Sequence, residues 1–180
     1  MSASAELIRH PVAGCDSIRR IGVLILREGN ALDLRYRING DVSRLLLPAA
    51  GSALRADDLW RHSCLEAFLQ ADAGPGYLEF NFSPSGAWAA YRFADRRMGR
   101  ESPELTAPRM EVRRGPDWLA MHIQLSLAGF AAFAAPATIS AGLSAVIEDA
   151  RGGLSYWALT HGANQPDFHD PATFVLRLPA

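Results

Sequence analysis

Short runs in which apolar and polar residues alternate, cut by Gly, Pro and Asn, recur along almost the whole chain. In the clearest of them Leu32, Leu34, Tyr36 and Ile38 point one way, while Asp33, Arg35 and Arg37 point the other. A period of two belongs to an antiparallel strand with one face in a core and one in water. Arg20–Leu26 lies before it across Glu28-Gly29-Asn30, so the two read as a hairpin. Further strands are predicted at Cys64–Gln70, Tyr77–Ser83, Trp88–Ala94, Met110–Arg113, Leu119–Leu127, Ile139–Ile147, Ser155–Thr160 and Thr173–Leu178. The longest helical candidates, Ala56–Arg61 and Ala128–Ala135, fall short of an average helix. The pattern predicts an all-β protein, with nine or ten strands in a single antiparallel β-sandwich spanning residues 1–180.

Length and composition agree with this. A 180-residue domain buries roughly 70% of the surface of its unfolded chain, enough for a core without disulfides or a structural metal. The two cysteines, Cys15 and Cys64, make no disulfide framework, and the N-terminal MSASAELIRHPVAG has no signal-peptide pattern. No apolar run approaches the roughly 20 residues that span a bilayer. A cytoplasmic protein without membrane attachment is the expectation. The formal net charge is −1, so no strong field favours nucleic acid. All 18 basic residues are Arg, which reads as codon bias. Arg96–Arg97 and Arg113–Arg114 read as solvated loop charges.

Three consecutive strands carry the functional information. Matching apolar faces places Glu66 opposite Asn81, and a four-residue turn at Ser83-Pro84-Ser85-Gly86 places Trp88 opposite Asn81. Glu66, Asn81 and Trp88 then form a row across three strands, with Glu79 and Arg92 beside it. Such a row suits a polyhydroxylated ligand. An indole offers apolar surface to a sugar ring, and carboxylate, amide and guanidinium groups pair with its hydroxyl groups. Trp60 and Trp157 are further candidates for stacking. The plainer alternative keeps these tryptophans in the core and gives Glu66 and Arg92 an ordinary cross-strand pairing.

The segments Leu59–Leu69, Glu79–Gly86, Trp88–Phe93 and Tyr156–Leu159 resemble the DOMON-like proteins. More narrowly, they resemble the bacterial branch similar to family 9 carbohydrate-binding modules (CBM9), over about residues 6 to 178. That resemblance implies an immunoglobulin-like or jelly-roll-like sandwich binding a sugar or a haem. In the sugar-binding modules two Trp side chains clamp a terminal sugar, and a Glu, an Arg and Asn side chains hold its hydroxyl groups. Trp60 and Glu66 match the Trp-and-Glu element, and Trp157 matches the second Trp by position. Arg92, Asn81 and Asn164 are matched by vicinity.

Other chemistries stay open. His161, Asp167 and His169 lie in a Gly- and Pro-containing stretch and read as a loop rim to the site. They also have the residue types of a facial metal triad. Haem would need an axial pair such as Met98 with His161 or His62, and no C-x-x-C-H attachment motif is present. Glu66 and Glu79 have the residue types of a glycosidase acid–base pair. The reading carried forward is non-catalytic binding of a small saccharide or polyol by Trp60, Glu66, Asn81, Trp88, Arg92, Trp157, His161, Asn164, Asp167 and His169. It expects no cofactor. The competing reading makes the same face a protein-docking surface.

Overall fold

The computed structural model describes residues 2–12, 14–49, 51, 54–133, 137–162 and 164–179. Eleven strands account for most of them: β1 (Ser2–Arg9), β2 (Ile18–Glu28), β3 (Ala31–Gly40), β4 (Cys64–Ala71), β5 (Tyr77–Phe82) and β6 (Trp88–Phe93). They continue as β7 (Arg109–Arg114), β8 (Trp118–Ser126), β9 (Ile139–Glu148), β10 (Leu154–Ala158) and β11 (Leu176–Leu178). The helical candidates reduce to single 3-10 turns at Leu59–Arg61 and Ala131–Phe133; residues 134 and 135 of the second lie outside the described residues.

The strand order is β6-β5-β4-β9-β10-β1-β2-β3-β8-β7, with β11 extending the line of β10 along β9. Every pairing between named strands is antiparallel. The sheet curls at β1, whose Ser2–Leu7 pairs with β2 and whose Ile8 and Arg9 pair with β10. One half then packs on the other as a sandwich. The hydroxyl of Tyr36 on β3 crosses the core to donate to the carbonyl of Glu66 on β4, at 2.7 Å.

The core follows the alternation. Leu32, Leu34, Tyr36 and Ile38 are all buried within it, facing Leu65, Ala67 and Leu69 of the other half. The hairpin between β2 and β3 closes on Gly29 and Asn30, with Gly29 at φ +56, a value that suits glycine. β1 escapes the pattern because its inward residues, Ala3 and Ala5, are too small to mark an apolar face.

The outer faces of the two halves differ. Those of β2, β3 and β8 are solvated in the ordinary way. All of β5 and nearly all of β4 are buried on both faces. Their outer face carries a second apolar cluster of Phe68, Tyr77, Ala89, Tyr91, Phe93 and Phe174. The chain between β10 and β11 folds over it, and Phe174 stacks on Phe68 at 5.7 Å. It can do so because Gly142 lies beneath: a Cβ there would meet the Phe174 ring at 2.5 Å.

Candidate ligand-binding site

The covered outer face does not close completely. It leaves a cavity of about 590 Å³, within the roughly 300–1,000 Å³ of small-molecule sites. Glu66 and Phe68 of β4, Glu79 of β5, and Tyr91 and Phe93 of β6 line it from the sheet, with Val146 and Tyr156 of β9 and β10 beside them. Trp60, Arg97, Arg100, Phe168 and His169 are contributed by loops.

Parity explains this lining. Glu66 pairs with Asn81 on one side and Ser144 on the other, while Glu79 pairs with Phe68 and Tyr91. Glu66 and Glu79 are therefore diagonal neighbours on one face, roughly 7 Å apart at Cβ. Both are almost wholly buried, at 2% and 5% exposure. Glu66 accepts a hydrogen bond from Ser144 Oγ at 2.9 Å, and Glu79 accepts from Asn81 Nδ2 at 2.6 Å. Burial and the neighbouring Glu79 push the Glu66 carboxyl up to about 8, against the weaker pull of Ser144. Burial raises Glu79 too, opposed by Asn81 and by the charges of Arg100 and Arg97. At neutral pH the floor therefore holds a carboxylic acid as well as acceptors.

Two loops make the wall, and an ion-pair clamp joins them. Arg96 and Arg97 donate to the two oxygens of Asp167 at 2.5 and 2.9 Å. Burial alone would raise Asp167, but these hydrogen bonds outweigh it and hold the carboxyl at about 2. Arg96 and Arg97 are solvated loop charges that also tie the two loops together. Arg100 lies over the Tyr91 ring, 4.2 Å from its centroid, and 3.5 Å from Asp57. His169 shares a hydrogen bond with the Tyr77 hydroxyl at 2.8 Å and lies 3.7 Å from Glu79 Oε2. Burial and Arg97 lower its pKa to about 4, so the ring is neutral at pH 7.

The ten residues singled out in the sequence divide by location. Trp60, Glu66 and His169 line the cavity. Asn81 stands behind Glu79, and Asp167 fixes the wall. Trp88, Arg92 and Trp157 are elsewhere. The β5–β6 turn is one residue longer than expected, so Trp88 pairs with Phe82 and faces the core. The same shift sets Arg92 opposite Leu78, and its guanidinium pairs with Glu101. Trp157 pairs with Ala145 on the core face, donating its Nε1–H to Ser155 at 3.1 Å; its neighbour Tyr156 takes the cavity side. His161 bonds the Ile8 carbonyl and packs edge-on against His10. Asn164 is exposed, one residue before the lining Gln165.

The sequence reading missed Tyr156, Phe168, Tyr91, Arg97 and Arg100. Tyr91 and Tyr156 were legible by parity once the turn length and the inward Trp157 were known. Arg97 and Arg100 come from an irregular loop with no periodicity to read. Among the described residues no three His, Cys, Asp or Glu converge on a metal position. His161, Asp167 and His169 point to separate partners. Met98 is exposed, His62 pairs with Glu148, and none of Met98, His62 and His161 lines the cavity. These residues do not fit a haem site.

Comparison with known proteins gave structural neighbours alone; no protein-family model and no curated protein matches the chain. A protein of Bacteroides uniformis assigned to carbohydrate binding superposes with a TM-score of 0.67 at 14% identity, covering 94% of this chain and 84% of its own. A CBM9 module of Caldicellulosiruptor kristjanssonii, in complex with cellotriose, has a TM-score of 0.54 at 10% identity, covering 96% and 80%. In complex with glucose the corresponding values are 0.52, 10%, 96% and 83%. The fold is CBM9-like. At these identities the likeness describes the backbone, and the side chains of the cavity are this chain's own.

Proposed function

We propose that the cavity binds a small saccharide without converting it, and that Trp60 is its exposed stacking surface. One observation carries this reading. A recessed cavity combines buried hydrogen-bonding carboxyl groups at its floor, Glu66 and Glu79, with the half-exposed Trp60 indole. Flat apolar rings beside directed acceptors and donors are what a ring with hydroxyl groups requires. The CBM9-like backbone, solved elsewhere with cellotriose and glucose, supports the same reading. So does the DOMON-like resemblance of the sequence. A reducing cytoplasmic setting belongs to the proposal and accords with the two buried free cysteines, Cys15 and Cys64.

The test is calorimetry and Trp fluorescence against a panel of mono- and oligosaccharides. Binding by at least one sugar is expected. Trp60→Ala should weaken it about tenfold or more while leaving thermal unfolding nearly unchanged, because Trp60 lies at the rim and is 48% exposed. A panel without hits at millimolar concentration would discard the proposal, and turnover of a bound glycoside would remove its non-catalytic part.

A further inference from the structure

The charges around the cavity do not balance evenly. At the rim, each guanidinium has an acidic partner: Arg97 bonds Asp167, and Arg100 lies 3.5 Å from Asp57. At the floor, Glu66 and Glu79 share no such pairing. Glu66 Oε2 accepts from Ser144 and Glu79 Oε1 from Asn81, both neutral groups. Their remaining oxygens, Glu66 Oε1 and Glu79 Oε2, accept no hydrogen bond from the described residues. The nearest basic side chain in contact is His169, 3.7 Å from Glu79 Oε2 and neutral at pH 7. Of the other neighbours, Cys64, Tyr91 and Tyr36 are uncharged at that pH, and Arg97 and Arg100 act on Glu79 from the rim without forming an ion pair with it.

Two buried carboxyl groups on one cavity floor are costly to ionise unless a cation meets them. Resting on the saccharide reading above, we propose that the preferred sugar carries a protonated amine, which Glu66 and Glu79 receive between them. The geometry suits this: the carboxyl groups are diagonal neighbours on adjacent strands, each with one oxygen free toward the cavity. Charge-assisted hydrogen bonds of an ammonium to two carboxylates are stronger than those of a hydroxyl group. The ring of the same sugar keeps the aromatic wall of Trp60, Tyr156 and Phe168. A carboxylate-bearing sugar would meet guanidinium groups already engaged by Asp57 and Asp167, and unfavourable carboxyl groups beneath.

Binding an ammonium ionises the floor, so protons leave the protein as the ligand enters. Titration calorimetry with glucosamine, N-acetylglucosamine, glucose and glucuronate would be run at about pH 6.5, below the range of an ordinary amine. Two buffers of different ionisation enthalpy report proton release. The expectation is glucosamine binding at least about tenfold more tightly than the three others, with net proton release to buffer. Glu66→Gln and Glu79→Gln should each reduce that preference, with circular dichroism confirming their fold; the comparison of sugars on the unaltered protein decides even where a variant does not fold. Equal or tighter binding of glucose, N-acetylglucosamine or glucuronate overturns the amine assignment and leaves saccharide binding standing. No binding by any of the four or by the wider panel overturns both.

Discussion

Glu66 shows how much one buried carboxyl can decide. Its pKa in the folded protein, about 8, lies well above the roughly 4.3 of a free glutamate. The folded state therefore holds the proton more tightly than the unfolded chain. That contribution to stability is complete below about pH 4 and is lost as the pH rises through 8. Glu66→Gln keeps the shape and removes the titration. The variant should gain stability relative to the natural protein as pH rises, reaching on the order of a few kcal/mol by about pH 9. Urea unfolding at a series of pH values measures this difference. A difference independent of pH would mean that Glu66 is not protonated in the resting protein.

At the scale of elements, the sandwich supplies the floor and two loops supply the wall. Their connection depends on Asp167, which takes hydrogen bonds from Arg96, Arg97 and the backbone N–H of His169. With Asn in its place, one neutral amide oxygen replaces two charged carboxylate oxygens, so the clamp weakens and the turn that presents His169 loosens. Asp167→Asn should raise hydrogen exchange about tenfold or more across residues 164–169, while β4, β5 and β9 keep their protection. Saccharide affinity should fall with it. Unchanged exchange in that loop would show that Phe168 and Phe174 hold the wall without the clamp. At the other end of β11, Arg27 is fully buried and donates to the carbonyls of Phe133, Ala137 and Leu178. That pins the C-terminal strand to the sandwich.

Across the whole molecule, the cavity floor is also the back of the core. β4 presents Leu65 and Ala67 inward and Glu66 outward, and the Glu66 carbonyl receives the Tyr36 hydroxyl from the opposite half. The site therefore shares its rigidity with the packing of the two halves. Tyr36→Phe removes this tie at nearly constant volume. It should cost about 1 kcal/mol by urea unfolding, and a measured loss within error of zero would show that the tie adds nothing. The pairing of β4 with β9 and of β1 with β10 joins distant parts of the chain, a topology associated with slow folding.

Read by itself, the sequence determined the strands other than β1, because an alternating pattern has the period of a strand. It also determined the facing of Glu66 and Asn81, since apolar parity on β4 and β5 admits few registers. Other features depended on the tertiary structure. One extra residue in the turn before β6 turned Trp88 inward and brought Tyr91 to the cavity. The outer face reads as a polar surface along the strands, yet it is buried because a segment distant in sequence, carrying Phe174, folds over it. Parity is a local property of a strand. Which loop covers a face, and which guanidinium meets which carboxylate, depends on contacts that local periodicity does not encode.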